Sequence, residues 1–198
     1  PSNEAALALI GRWPDWPDRI VALVGPEGSG KTHLASIWAV DAGARSVPAH
    51  ALAQIDLPGA LVTGALVVED VVATVDEHAL FHLLNLAREE QAFLLLTAAT
   101  MPAGWRMGIP DLASRLRALP VVTVTAPDDA LLRSVVVKLA ADRQLAVDEA
   151  LVSFLVTRME RSFVAARDAI ARLDAEAMRQ HRPVTRALAA ELFRGEGN

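Results

Sequence analysis

The sequence carries a glycine-rich loop between an apolar run and a predicted helix. Residues 25–32 read GPEGSGKT and match the pattern G-x-x-x-x-G-K-[ST]. The preceding run, RIVALV at 19–24, has the length and apolarity of a buried parallel strand, and a helical pattern follows over 30–41. In this strand-loop-helix context, loop N–H groups and the start of the helix together bind a phosphate. The loop therefore predicts a parallel α/β sheet built around a phosphate site.

Apolar runs and helical patterns alternate through the first part of the chain. Further strands are predicted at 44–48, 65–70, 92–98 and 120–125, and further helices at 2–13, 76–90 and 109–116. This alternation indicates an α/β fold with a parallel sheet, whereas the pattern after Pro127 is helical throughout. We therefore predict a five-stranded parallel sheet flanked by helices in a nucleotide-binding core at 1–126, followed by a small all-α lid at 127–198.

Composition excludes several classes of protein. Of the 198 residues, 53% are hydrophobic and 22% are charged, which predicts a packed core and not a disordered chain. The net charge of −5 argues against a DNA-reading surface, because such surfaces are usually basic. The absence of cysteine excludes disulfides and thiolate metal sites, and no apolar run reaches the roughly 18 residues of a membrane helix. We expect a cytoplasmic protein without membrane attachment or direct sequence-specific DNA binding.

The residue types in the loop suit a nucleotide. Glycines allow backbone N–H groups to turn inward and form an anion-binding nest. Lys31 is expected to contact the outer phosphates, and the Thr32 hydroxyl is expected to bind Mg²⁺. The predicted cofactor is ADP or ATP with Mg²⁺. The predicted nucleotide contacts from the loop are Gly25, Pro26, Glu27, Gly28, Ser29, Gly30, Lys31, Thr32 and His33.

Two acidic residues end the strand predicted at 65–70. A P-loop site needs a carboxylate at this place for the Mg²⁺ shell, usually a short acid first and a longer one second. This sequence has the reverse order, Glu69 and then Asp70. We expect Glu69 to reach Mg²⁺ partly through water, and Asp70 to be a short catalytic base. The alternative is a pair of acids that only ends the strand.

With these motifs in place, the chain resembles the AAA+ module of the bacterial replication initiator DnaA. It looks closer still to the Hda-type regulators, which are DnaA relatives without the DNA-binding domain. The resemblance rests on SNEAA at 2–6, GPEGSGKTHL at 25–34 and GIPDLASRL at 108–116. It implies that Asn3 lies beside the nucleotide base. It also implies that Arg115 is an arginine finger, which acts in trans on the site of a neighbouring subunit.

The sequence departs from that family in the residues that read the third phosphate. The sensor position normally carries a polar residue, but Ala98 and Ala99 occupy it, with threonines on either side. The lid position that usually gives an arginine to the nucleotide falls on Val164 or Ala165. These departures, like the reversed acid pair, affect the third phosphate and leave the cradle for the first two intact. We therefore expect nucleotide binding with slow or absent intrinsic hydrolysis.

The resemblance implies a regulator of replication initiation that binds ATP-loaded DnaA and promotes hydrolysis of the ATP held by DnaA. It also implies a sliding clamp as a partner, contacted through an N-terminal peptide that is not in this sequence. Two alternatives stay open: a self-sufficient AAA+ ATPase that remodels a partner or loads a helicase, and a scaffold with a relic P-loop. Self-association also stays open.

Two further features have simpler structural interpretations. His78 and His82 lie four residues apart on a predicted helix, a spacing that suits a metal, but the sequence offers no evident third ligand. We therefore expect a solvated helix face there. Trp13 and Trp16 are expected to pack the N-terminal helix onto the sheet, as large aromatic side chains commonly do. The alternative for the two tryptophans is recognition of a peptide or stacking on a base.

Overall fold

One parallel β-sheet organises the first part of the chain. The structure, a computed structural model, describes residues 3–194. The strands are β1 (Ile20–Val24), β2 (Arg45–Pro48), β3 (Ala65–Glu69), β4 (Phe93–Ala98) and β5 (Val121–Thr123). They pair in the order β2-β3-β4-β1-β5, and every pairing is parallel. The predicted α/β fold with a five-stranded parallel sheet is confirmed.

Helices cover both faces of this sheet. They are α1 (Glu4–Gly11), α2 (Lys31–Ala42), α3 (Leu57–Ala60), α4 (Glu77–Glu89) and α5 (Pro110–Ala118), with 3₁₀ turns at Ala49–Gln54 and Pro102–Gly104. The helical segments between β2 and β3 were not predicted. The dipeptide Pro58–Gly59 has the composition of a turn, yet proline is accepted in the first turn of a helix, where its missing N–H has no helical partner.

Alternate residues of the central strands face two separate apolar clusters. In β1, Ile20 and Ala22 pack with residues of α4 and α5, whereas Val21 and Leu23 pack with residues of α1 and α2. All five residues of β1 are buried. A strand that is buried on both faces has a continuous apolar run and no alternation, which explains why RIVALV reads as it does.

The tryptophans after α1 attach the N-terminal segment to the sheet. The Trp16 ring lies 4.8 Å from the Trp38 ring of α2, between ring centroids, and 5.9 Å from the Phe93 ring of β4. Trp13 meets the same Phe93 ring edge-on at 5.9 Å. The Trp16 indole N–H also donates to the Leu9 carbonyl at 2.7 Å. The predicted packing of Trp13 and Trp16 is confirmed.

A second compact unit begins at Ala126, and the first spans Asn3–Thr125. The second contains α6 (Asp129–Asp142), α7 (Glu149–Arg158), α8 (Phe163–Gln180) and α9 (Arg186–Leu192), which share an apolar core of their own. A side-chain oxygen caps the N-terminus of each of these helices, from Asp128, Asp148, Ser162 and Thr185 respectively. The predicted ranges 1–126 and 127–198 also include residues 1–2 and 195–198, which lie outside the described residues. Within residues 3–194, no helix has both the length and the apolarity to cross a lipid bilayer.

Gly25 connects β1 to the loop at a point where the backbones are close. A Cβ atom at this position would lie 1.9 Å from the carbonyl oxygen of Val124, just after β5. The backbones cannot easily separate, because the Gly25 N–H donates to Ala98 O at 3.1 Å and the Val124 N–H donates to Val24 O at 2.7 Å. We therefore expect Gly25→Ala to lower the free energy of unfolding by about 1–3 kcal/mol or more, measured by urea denaturation.

Gly11→Ala is the matched control for this substitution. Gly11 ends α1, and nothing lies within 4 Å of a Cβ built there. Alanine in place of glycine at the end of a helix should change the free energy of unfolding by at most about 1 kcal/mol, in the stabilising direction. Equal stabilities of Gly25→Ala and the unmodified chain would contradict the steric argument.

Candidate functional site

The glycine-rich loop has the backbone shape of an anion-binding nest. It connects β1 to α2, which begins at Lys31. Gly28 has a φ of 72° and Gly30 a φ of 100°, both in the left-handed region that favours glycine. The first turn of α2 follows directly, so its N–H groups and the positive end of its dipole lie at the loop. The predicted phosphate cradle therefore has its expected strand-loop-helix setting.

The Lys31 side chain folds back onto the loop. Its ammonium donates to the carbonyl oxygens of Gly25 and Pro26, both at 2.8 Å, and the residue is only 7% exposed. An ammonium has three donors, so two fix its position and one is left for a ligand. Burial lowers the pKa of Lys31 from its usual 10.5, and the nearby carboxylates of Asp70 and Glu27 oppose that shift. These two carboxylates therefore favour the charged lysine that a phosphate requires.

Ser29 supplies a buried hydroxyl at the centre of the loop. The residue is 1% exposed, and within residues 3–194 its Oγ has no hydrogen-bond partner. A buried polar atom without a partner is costly, and a ligand that reaches it removes this cost. Together with the nest and the free donor of Lys31, this hydroxyl fits a phosphate group. Thr32 and His33 are exposed on the first turn of α2.

The two acids at the end of β3 have different surroundings. Glu69 is the last residue of the strand, is half-buried and lies in register with Pro48 of β2. Asp70 is exposed, has a φ of 55°, and is the acid of the pair whose charge raises the pKa of Lys31. Carboxylate and hydroxyl oxygens are ligands that Mg²⁺ accepts, usually with several waters. By the chemistry of their oxygens, Thr32, Glu69 and Asp70 suit a Mg²⁺ ion, and their role as its ligands stays a prediction.

The end of β4 has hydroxyl groups that are already engaged within the chain. Ala98 is buried, at 1% exposure, and Ala99 follows it on the surface. The Thr97 hydroxyl accepts the backbone N–H of Asp70 at 3.0 Å. The Thr100 hydroxyl accepts the indole N–H of Trp105 at 2.9 Å. Each of the threonines that flank the two alanines therefore accepts one hydrogen bond from within the chain.

Asn3 has a structural partner as well. Its residue is 9% exposed, and its side-chain oxygen accepts the backbone N–H of Thr125 at 3.0 Å. This bond ties the start of α1 to the chain just after β5. The contact with a nucleotide base that the family resemblance implies stays a prediction.

Arg115 lies against α4 through two contacts that the sequence analysis missed. Its Nη1 donates to the side-chain oxygen of Asn85, and its guanidinium carbon lies 4.9 Å from the centre of the Phe81 ring. Phe81 and Asn85 are four residues apart on α4, so they lie on one face of that helix. Arg115 is half-buried, whereas Arg117 on the same helix is exposed. In the sequence, the feature that could have indicated these contacts is the spacing of Phe81 and Asn85, four residues apart on a predicted helix.

Glu77 joins α4 to the segment that opens α5. Its two carboxylate oxygens accept the N–H groups of Gly108 at 2.9 Å and Ile109 at 2.8 Å. These bonds hold the carboxylate form and lower the pKa of Glu77 below its usual 4.5, the bond from Gly108 having the larger effect. Glu77 precedes Phe81 by four residues, so a single face of α4 orients the helix that carries Arg115.

In the second unit, the predicted lid positions do not carry a charge. Val164 is 48% exposed, and the N–H of Ala165 is used by the Ser162 cap of α8. The preceding arginine, Arg161, forms an ion pair with Asp129 at 2.9 Å. Both partners of that pair are largely exposed, so the pair contributes little stability.

The histidine pair on α4 is solvent-exposed. His78 and His82 are both on the surface of the helix. In the part of the chain that the structure describes, no group of three or more His, Cys, Asp or Glu residues is placed to hold a metal ion.

Solved structures with this architecture belong to AAA+ proteins. Domain III of the Thermotoga maritima replication initiation protein DnaA matches with a TM-score of 0.80 and 18% identity, covering 100% of this chain and 93% of that one. A Thermotoga maritima RuvB mutant, P216G, matches with a TM-score of 0.72 and 17% identity over 98% of this chain and 67% of that one. A replication initiator DnaA bound to AMPPCP and single-stranded DNA matches with a TM-score of 0.66 and 16% identity over 91% and 65%.

Sequence comparisons give no family. No protein-family model matches the chain, and no curated protein sequence matches it. At identities of 16–18%, the structural matches establish the fold and not a shared activity. The chain therefore has the AAA+ ATPase fold, similar to DnaA domain III and to RuvB.

Removal of the Lys31 ammonium tests the phosphate cradle. Lys31→Ala should weaken ADP binding by about 10–100-fold, because a hydrogen bond to a charged group contributes about 1.5–3 kcal/mol. Isothermal titration calorimetry measures this affinity directly. Lys138→Ala is the control, since Lys138 is the other lysine of the chain and is exposed on α6. Unchanged ADP affinity in Lys31→Ala would contradict the cradle.

The Glu77 carboxylate should stabilise the fold in a pH-dependent way. Because its pKa is lowered in the folded chain, its contribution is fully present above the unfolded value near 4.5 and is lost as the pH falls through the folded pKa. Glu77→Gln should therefore melt at a lower temperature than the unmodified chain at pH 7, and this difference should shrink below pH 4. Thermal melts across this range measure it, with Glu89→Gln at the exposed end of α4 as the control. A difference that is constant with pH would refute the assignment.

Proposed function

We propose that this chain is a nucleotide-binding regulator of the Hda type, which promotes hydrolysis of the ATP held by DnaA. The observation that carries the proposal is an intact phosphate cradle beside a β4 end that carries alanines. Lys31 and Ser29 form the cradle, while Ala98 and Ala99 take the place where a polar side chain normally contacts the third phosphate. Such a chain holds a nucleotide without cleaving it efficiently.

The lack of polar side chains that contact the third phosphate matters because of how phosphoryl transfer is catalysed. The protein contributes mainly positioning and charge stabilisation at the third phosphate, and little covalent chemistry. Here the loop, Lys31, Thr32 and Glu69 would hold the first two phosphates and Mg²⁺, with Asp70 as a short base. ADP and ATP should therefore bind with similar affinity, and intrinsic turnover should be slow.

In this proposal, Arg115 is the residue that promotes hydrolysis of the ATP held by DnaA. A guanidinium has five N–H donors, and Asn85 takes one of them, so others stay available for phosphate oxygens. The Phe81 ring supports the guanidinium plane from one side. A guanidinium that is held in place before the partner docks loses less entropy on binding, and an arginine finger in trans can raise a rate by orders of magnitude.

The proposed partners follow from the family resemblance, which the likeness of fold to DnaA domain III supports. They are ATP-loaded DnaA and, through an N-terminal peptide outside this sequence, a sliding clamp. We also propose a cytoplasmic location and a boundary between the nucleotide-binding core and the helical lid at 126–127. No contact with specific DNA sequences is part of the proposal.

The decisive experiment measures ATP hydrolysis by DnaA. The chain with a clamp-binding peptide joined to its N-terminus, together with the clamp, is added to ATP-loaded DnaA, and phosphate release is followed. The unmodified protein should stimulate release, and Arg115→Ala should abolish most of this stimulation, while Arg117→Ala should retain it. Circular dichroism melts check that both variants are folded. No stimulation by the unmodified protein would refute the regulator.

Two other results would identify the two alternative functions, the self-sufficient ATPase and the scaffold. Rapid ATP turnover by the chain alone, abolished by Lys31→Ala, would identify a self-sufficient ATPase in place of a regulator. A chain that binds neither ADP nor ATP up to millimolar concentration would be a scaffold with a relic P-loop.

A further inference from the structure

Thr97 is a buried polar residue in the apolar strand β4. It is 0% exposed, and its neighbours in the run FLLLTA are apolar. Its hydroxyl accepts the Asp70 N–H at 3.0 Å, and its carbonyl oxygen accepts the Val71 N–H at 2.8 Å. One residue of β4 therefore binds two successive N–H groups of the chain that leaves β3. The ordinary pairing of the two strands ends just before this point, with Val68 opposite Leu96.

The residue that Thr97 binds has an uncommon backbone conformation. Asp70 has a φ of 55°, a left-handed angle that is uncommon outside glycine and that asparagine and aspartate tolerate best. A left-handed residue also breaks the alternation of side chains along a strand, so Asp70 need not point opposite to Glu69. The direction of the Asp70 side chain therefore depends on this turn, whose N–H the Thr97 hydroxyl binds.

Asp70 also lies at the edge of the sheet where the phosphate loop begins. Thr97 accepts the Asp70 N–H, and the next residue of β4, Ala98, accepts the Gly25 N–H at 3.1 Å. Asp70 and the start of the loop therefore flank the same end of β4. Burial lowers the pKa of Lys31 in that loop, and the Asp70 charge opposes this shift.

We propose that Thr97 is a positioning residue for Mg²⁺-nucleotide binding: its hydroxyl fixes the left-handed turn at Asp70 and thereby holds the Asp70 carboxylate towards the phosphate loop. In this arrangement Asp70, and not only Glu69, supports the Mg²⁺ shell of the bound nucleotide. The proposal rests on the proposed nucleotide binding and assigns a role within that same site. Thr97 itself touches neither metal nor phosphate.

A purely structural role for Thr97 makes a different prediction. A buried threonine whose hydroxyl only satisfies an N–H group affects the stability of the fold and leaves ligand binding unchanged. Thr97→Val has nearly the same shape but lacks the hydroxyl, so the Asp70 N–H loses its partner. Thr97→Ser keeps the hydroxyl. The two variants therefore separate loss of the bond from a change in packing.

The test is the affinity for ADP in the presence of Mg²⁺ and in the presence of EDTA, measured by calorimetry. Thr97→Val should weaken binding with Mg²⁺ by about 10-fold or more, as loss of a residue that orients a metal ligand commonly does, and leave binding in EDTA unchanged. Thr97→Ser should restore the Mg²⁺-dependent affinity. Weaker folding of Thr97→Val with unchanged affinity in both conditions would overturn the proposal.

Asp70→Asn gives a second measurement that does not depend on the folding of Thr97→Val. It should lower the Mg²⁺-dependent affinity by a similar factor, and the double variant should be no weaker than Asp70→Asn alone, because both changes act through one carboxylate. Wild-type Mg²⁺ dependence in Asp70→Asn, or additive losses in the double variant, would overturn the proposal. Failure of the nucleotide binding on which the proposal rests has a distinct signature, since the unmodified chain would then bind no ADP at all.

Discussion

The phosphate loop depends on the contact of Gly25 with the strands on either side of β1. The N–H of Gly25 bonds to the end of β4, its Cα lies against the backbone just after β5, and its carbonyl accepts the Lys31 ammonium. One glycine therefore fixes the start of the loop, the spacing of three strands and the position of the lysine. Burial disfavours the charged form of Lys31. The two loop carbonyls and the carboxylates of Asp70 and Glu27 stabilise that charged form.

Most of the fold and the cradle could be predicted from the sequence, because their signals are local. The strand, loop and helix around Lys31 occupy one continuous stretch, and β1 is apolar throughout because both its faces are covered. The short helix at Leu57–Ala60 escaped prediction because proline and glycine read as a turn. The order of the strands was also beyond sequence reasoning, since it depends on crossovers and not on local pattern.

The contacts that orient the site are long-range, which is why sequence reasoning missed them. Thr97 meets Asp70 across 27 positions, and Arg115 meets Asn85 across 30. Thr97 stands out as a polar residue in an apolar strand, but its own segment does not identify its partner. The parallel pairing of β3 with β4 and the contacts between α5 and α4 bring these residues together. From the family resemblance, alanines are predicted where a polar residue would contact the third phosphate. The structure adds that the buried Thr97 beside them accepts the backbone N–H of Asp70.

The face of α4 that carries Glu77, Phe81 and Asn85 sets where Arg115 lies. These three residues are spaced by four, so they lie in one row along the helix. Glu77 binds the backbone just before α5, while Phe81 and Asn85 contact the guanidinium itself. One helix face therefore positions the arginine at both ends, at the backbone that carries it and at its charged group.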